Sequence, residues 1–223
     1  MNTMFFIAIN AIFMRSRCHF YACWIAAGLV AGCALPSPPP RPLVYDFGPG
    51  PLAPAASAVS APRPALLIAD IQTSSALDST AMLYRQGFGN EQQLKAYTLA
   101  RWSMPPAQLL RQRLRTQLGQ QHTLLNPGEL PAAGLSKTQM LRLELEEFSH
   151  WFERPDHSLG WVRLRATLTQ PSPSGDRVLA QRSFQVQRPA PTADAAGAVR
   201  ALSDASDAVV VELGAWVAGV QPL

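Results

Sequence analysis

The clearest periodicity lies in the second half of the chain. Leu141, Leu143 and Leu145 alternate with Arg142, Glu144 and Glu146, and Val162, Leu164, Ala166 and Leu168 alternate with Trp161, Arg163, Arg165 and Thr167. A period of two marks strands with one buried and one solvated face. A loop near Arg154-Pro155 joins them as a hairpin. A register centred on that loop sets Glu144 against Arg165, Glu146 against Arg163 and Phe148 against Trp161. Opposite-charge and aromatic pairs across an antiparallel ladder each contribute ~0.2–1 kcal/mol, so three matches support one register. The turn Pro171–Asp176 leads to a third strand, in which Val178, Ala180, Phe184 and Val186 extend the apolar face. Arg182 interrupts that face, as at a sheet edge.

The first half is less regular. Leu43–Phe47 reads as a short strand, and Ala65–Ile71 is almost wholly apolar, as for a strand covered on both faces. Ala81–Arg85 and Leu94–Leu99 are short strands around a Gly87–Asn90 turn. Pro105-Pro106 opens a helix to about Gln120 with Leu110, Leu114 and Leu118 on one stripe, since proline in the first turn forfeits no internal hydrogen bond. A second helix starts near Asp194, where Val199, Leu202, Ser206, Val209, Leu213, Trp216 and Val220 recur at steps of three and four. The expected fold is α+β: one domain over 65–223, a mainly antiparallel sheet with two amphipathic helices packed on it.

The N-terminus carries an address. Arg15, Arg17 and His19 precede an apolar run, Phe20–Val30, and Val30-Ala31-Gly32-Cys33 fits a lipobox. Residues 1–32 are therefore expected to be a lipoprotein signal peptide, cleaved before Cys33, with translation starting at Met1 or at Met14. A transmembrane anchor is the alternative, because Met4–Met14 is also apolar. That run falls short of the ~20 residues a span needs, and Arg15 and Arg17 interrupt it. Residues 34–42 are proline-rich; as polyproline II they reach about 28 Å at ~3.1 Å each and form a stalk. Gly48–Pro64 is low-complexity, so 33–64 reads as a tether with one short strand.

Charge and cysteine usage narrow the function. Lys+Arg number 19 against 15 acids, and loss of Arg15 and Arg17 with the signal brings the two closer. The remaining arginines are dispersed, so no nucleic-acid footprint results. Cys18, Cys23 and Cys33 are the cysteines; cleavage leaves Cys33 alone, which excludes an internal disulfide and a cysteine metal site. Gly87-Phe88-Gly89 lacks the context of a dinucleotide loop. Glu146, Glu147, His150, Glu153, Asp156 and His157 are the one group of metal-ligand types; without a third histidine or helical spacing they read as a solvated hairpin tip and not as a metal site. Phe148, Trp151, Phe152 and Trp161 are candidate partner or lipid contacts, since aromatics anchor interfaces.

From Cys33 to Trp216 the chain resembles the PqiC-like ABC-type transport auxiliary lipoproteins. The resemblance rests on Tyr45-Asp46-Phe47, Met82-Leu83-Tyr84-Arg85, Tyr97 with Arg101-Trp102-Ser103-Met104-Pro105-Pro106, the Leu109-Leu110-Leu114 helix, Gly160-Trp161-Val162, Val178-Leu179-Ala180 with Arg182 and Phe184, Ala201-Leu202 and Trp216-Val217. Phe47 and the long Gly48–Pro64 loop depart from the family pattern. The resemblance implies a small α/β domain similar to the N-terminal domain of TolB, no cofactor and no catalytic residues. It also implies an MCE-domain periplasmic protein, an ABC permease and ATPase, and phospholipid as partners, with homo-oligomers possible within such systems. Ala34 in place of aspartate after the cysteine points to the periplasmic face of the outer membrane. An envelope scaffold activating peptidoglycan enzymes and a metallohydrolase using the hairpin-tip group are the rival expectations.

Overall fold

The computed structural model describes residues 40–49, 63–126, 128–129, 138–172 and 174–220. The elements described below belong to a compact unit that begins at Arg41. The elements in chain order are β1 (Leu43–Tyr45), β2 (Ala65–Ile68), β3 (Gln72–Thr73), β4 (Ala81–Gln86), β5 (Lys95–Trp102), α1 (Pro106–Leu118), β6 (Leu124–Leu125), β7 (Thr138–Arg154), β8 (His157–Gln170), β9 (Arg177–Pro189) and α2 (Ala195–Gly219).

The fold is α+β, and the sheet is mixed where the sequence pattern suggested a mainly antiparallel one. β7 is its axis. Along one side β7 pairs throughout with antiparallel β8, which pairs in turn with β9. Along the other side it meets three short parallel strands in succession: β2 at Thr138–Leu141, β3 at Glu144–Leu145 and β4 at His150–Phe152. β4 carries antiparallel β5, β5 carries parallel β1, and β2 carries parallel β6. Local alternation identifies a hairpin but not the long-range parallel partners of its first strand. That is why those pairings were not visible in the sequence.

The helices cover one face. α1 begins with Pro105 at its cap and Pro106 in its first turn, and turns Leu109, Leu110, Leu114 and Leu118 into the core. α2 is capped by Asp194, whose side chain accepts the Gly197 N–H at 2.8 Å, satisfying a donor that a helix start leaves free. Its buried stripe includes Leu202, Val209, Leu213 and Val217, but its sheet-facing centre is small: Ala198, Ala201 and Ala205. Trp216, Val199 and Val220 lie at the rim of the core. Small residues let α2 approach closely, and Gly160 on β8 answers them. A Cβ at Gly160 would lie 2.6 Å from the Leu202 nitrogen. Fully burying a leucine such as Leu213 contributes roughly 1.5–3 kcal/mol, so the stripe fixes α2 across β7, β8 and β9.

The hairpin register follows the expectation for its first half and then departs from it. Glu144 pairs with Arg165 and Leu145 with Leu164; a bulge at Glu146 then shifts the ladder by one, so Glu147 faces Arg163, Phe148 faces Val162 and Ser149 faces Trp161. Phe148 is therefore not opposite Trp161. The extra residue lets Leu141, Leu143, Leu145 and then Phe148, His150 and Phe152 all point to the helices, although the two sets differ in parity. β9 is an outer strand, and Arg182 on it stays exposed with its guanidinium 4.9 Å from the Phe184 ring centroid.

Candidate functional site

After the bulge, β7 divides the candidate residues between two faces. Trp151 and Trp161 are on the face without helices, meeting edge to face with ring centroids 5.3 Å apart. The Trp151 ring rests against the backbone of Gly87, where a Cβ would come within 2.5 Å of it. Glycine in the β4–β5 turn thus makes room for the indole. From beside the pair a row of ion pairs runs back along β7 toward its start. Arg85 contacts Glu147 at 3.3 Å, Arg163 contacts Glu146 at 2.9 Å, Arg165 contacts Glu146 as well as Glu144 at 3.7 Å, and Arg142 contacts Asp176.

Phe148 and Phe152 face the other way. Phe148 is 1% exposed and packs in the core against Phe47 and Trp102. It has no surface to offer a partner. Phe152 is half-buried beside His150 and Tyr84. The four aromatics are thus not one surface: two make a pair on the open face, Phe148 lies in the core, and Phe152 stands beside Tyr84 and His150.

His150 sits in an aromatic box formed by Tyr84, Tyr97 and Phe152. The Tyr97 hydroxyl is 2.8 Å from Nδ1, while Nε2 is buried without a partner among the described residues. Burial lowers the His150 pKa to about 4, against the opposing pull of Asp194. Burial also raises the Tyr97 pKa well above its usual value. Both groups are neutral at pH 7, as an apolar enclosure demands. Tyr84 and Tyr97 were not singled out as site residues from sequence. The signal available was their coincidence with His150 on short strands, and it needs the pairing of β4 with β7 to be read.

The hairpin-tip group of metal-ligand types is dispersed. Glu146 and Glu147 are held by arginines on the open face, His150 is inside, and His157 pairs with Glu153 at 2.8 Å. Among the described residues no three histidine, cysteine, aspartate or glutamate side chains come together as a metal would require. Cys33, the expected lipid acceptor, lies outside the described residues. Among those described, no helix is long and apolar enough to cross a membrane.

The surface clefts are shallow and mixed in chemistry. One, between α1 and the β2–β3 segment, is lined by Asp70, Asp78, Arg111, Arg115 and Asn126 and is bridged by the Arg111–Asp70 ion pair. Another, of about 520 Å³, runs between β1 and the first half of α2. Neither gathers a nucleophile, a base and an orienting group.

A family model described as the ABC-type transport auxiliary lipoprotein component matches residues 45–214, from the end of β1 through most of α2. The chain belongs to this family. Its members are lipoprotein components auxiliary to an ABC-type transport system, which sets this chain at a membrane of the cell envelope. Among solved structures, the chain is similar to a protein of Xanthomonas campestris from the family DUF330. The identity is 22% and the TM-score 0.59, with 79% of this chain and 92% of that one covered. It is also similar to an uncharacterized protein at 12% identity and TM-score 0.56, covering 79% and 99% of the two chains. Likeness at such identities shows the fold and leaves the chemistry to the site. No curated protein matches the sequence.

Proposed function

We propose that the chain is a non-enzymatic lipoprotein, acylated on Cys33, that serves an MCE-type lipid transport system from the periplasmic face of the outer membrane. Its partners in this reading are an MCE-domain protein, the ABC permease and ATPase, and the phospholipid they move. The observation that carries it is the uncovered sheet face, where the Trp151–Trp161 pair stands beside a row of ion pairs. Tryptophan and arginine are the residues that dominate binding energy at protein interfaces. Aromatic side chains bordered by polar ones are the pattern of a docking surface. Family membership supplies the transport context.

Affinity capture of the lipidated chain from solubilised envelopes tests this. An MCE-domain protein should be recovered with it, and Trp151→Ala together with Trp161→Ala should reduce that recovery, whereas His157→Ala should not. Recovery of cell-wall synthases in place of the transport components would transfer the assignment to an envelope scaffold.

A further inference from the structure

Six large apolar side chains are strongly exposed among the described residues: Leu43, Val44, Phe88, Leu99, Val178 and Val211. Three of them gather at one edge. Leu43 and Val44 make up most of β1, at 63% and 53% exposure, and Leu99 (49%) immediately precedes Ala100, the register partner of Leu43. β1 ends the sheet on this side, so the patch lies along an open border of the fold.

The cations here are distinctive as well. Most arginines in the structure are engaged by a carboxylate, an amide or carbonyl oxygen, or a ring. Four arginines have no side-chain hydrogen bond, ion pair or ring partner among the described residues: Arg115 in the cleft beside α1, and Arg41, Arg101 and Arg200, which surround β1. Arg41 precedes it, Arg101 pairs with Val44 in the ladder, and Arg200 lies across the β1–α2 groove from Val44. Asp46 and Asp204 line the same groove, and the exposed Asp46 carboxylate accepts the Gly48 N–H at 2.7 Å. Exposed aliphatics bordered by free arginines match an interfacial surface, with apolar tips among acyl chains and guanidinium groups at phosphate level.

Covalent geometry identifies the surface within reach. Leu43 follows Cys33 by ten residues, which span at most about 36 Å when fully extended. Because β1 runs parallel to β5, Arg41 and Pro42 enter Leu43 from the end of the border at which Leu99 lies. We propose that the β1 border, through Leu43, Val44 and Leu99 with Arg41, Arg101 and Arg200, docks directly on a bilayer surface bearing anionic phospholipid. This adds a protein contact to the lipid anchor and fixes which side of the sheet meets the membrane. It rests on the reading that Cys33 is acylated.

Nitroxide accessibility in the lipidated full-length protein tests it. The acylated Cys33 takes no label, so single cysteines at Leu43→Cys, Val44→Cys and Leu99→Cys report alone, with Val178→Cys and Val211→Cys as references. In vesicles of phosphatidylethanolamine and phosphatidylglycerol, labels at 43, 44 and 99 should be several-fold more accessible to oxygen, relative to a water-soluble nickel chelate, than labels at 178 and 211. Equal, water-like ratios at all five sites would overturn the docking while leaving the anchor intact. Shielding at 43, 44 and 99 that is the same in detergent as in vesicles would assign the border to a protein neighbour and overturn it too. A parent protein that takes up label at Cys33 would remove the anchor, and the docking with it. Arg101→Gln combined with Arg200→Gln should weaken the shielding at 43, 44 and 99, the ratio of docked to undocked protein falling by about fivefold for each charge lost.

Discussion

The Tyr97 hydroxyl lies 2.8 Å from Nδ1 of His150, joining β5 to β7 through a contact inside the aromatic box. His150 is fully buried there, and Nε2 has no partner among the described residues. The protein must therefore keep this imidazole neutral. Its pKa is about 4 when folded and 6.5 as the reference for the unfolded chain. Between these values the unfolded chain binds the additional proton, so stability falls as pH falls through this window. The loss should be on the order of 1–3 kcal/mol. Asp194, whose pKa is lowered by its bond to the Gly197 N–H, loses its contribution only at more acidic pH. Asp207, raised by burial, acts in the opposite direction. Urea denaturation from pH 7.5 to 4 should show the decline, and His150→Phe should flatten it. An unchanged slope in the variant would place the titrating group elsewhere.

The bulge at Glu146 makes a second prediction sharp. Glu147 is the ladder partner of Arg163, yet its carboxylate pairs with Arg85, while Glu146, one step away, reaches Arg163. Double-mutant cycles should give coupling of about 0.2–1 kcal/mol for Glu146 with Arg163 and for Glu147 with Arg85. Glu147 with Arg163 should give none. Coupling in that last pair, with none between Glu147 and Arg85, would mean that Glu147 turns to its ladder partner on β8 and not to β4.

Two glycines should behave oppositely when converted to alanine. Gly160→Ala drives a Cβ into the backbone of α2, and the overpacking should cost about 1–3 kcal/mol in chemical denaturation. Gly219→Ala, at the end of α2 with nothing nearby, should be neutral or stabilising by up to about 1 kcal/mol. Equal effects would argue against close approach of α2 to β8.

Gly87→Ala is a probe of the tryptophan pair. The new methyl displaces the end of the Trp151 ring without entering the core, so far-UV circular dichroism should stay unchanged while capture of the partner weakens. Full retention of the partner would remove Trp151 from the docking surface.

Acylation is tested by mass. The mature N-terminus should be Cys33 carrying diacylglycerol and an N-acyl group, since stable anchoring takes more than one chain. Cys33→Ala should leave a soluble or uncleaved product. Recovery of the acylated protein only with inner-membrane fractions would contradict the outer-membrane placement.

The strands that alternate cleanly, β7, β8 and much of β9, were legible because a half-buried sheet writes its period into the residues. The capped helices were legible for the same reason. Glu146-Glu147 before Phe148 was a visible break in period, but only the pairing of β8 shows it to be a bulge. That one residue decides that Phe148 joins the core while Trp161 stays outside. β3 and β6, two residues each, carry no period at all. The arginines around β1 could be seen in sequence only as dispersed charge, because their neighbourhood is made by β5 and α2.

The succession of β2, β3 and β4 along one side of β7 also orders events in time. Ala65 pairs with Thr138, and Tyr84 with His150, more than sixty residues later in each case. A chain made from its N-terminus presents Leu66, Leu67 and Ile68 well before the strand that will receive them. The meander β7–β8–β9 and α2, by contrast, are neighbours in sequence and can close early, as local contacts do. The last third of the molecule is thus the template on which the first third is laid down. Until it emerges, the apolar strand β2 needs shelter from its own kind.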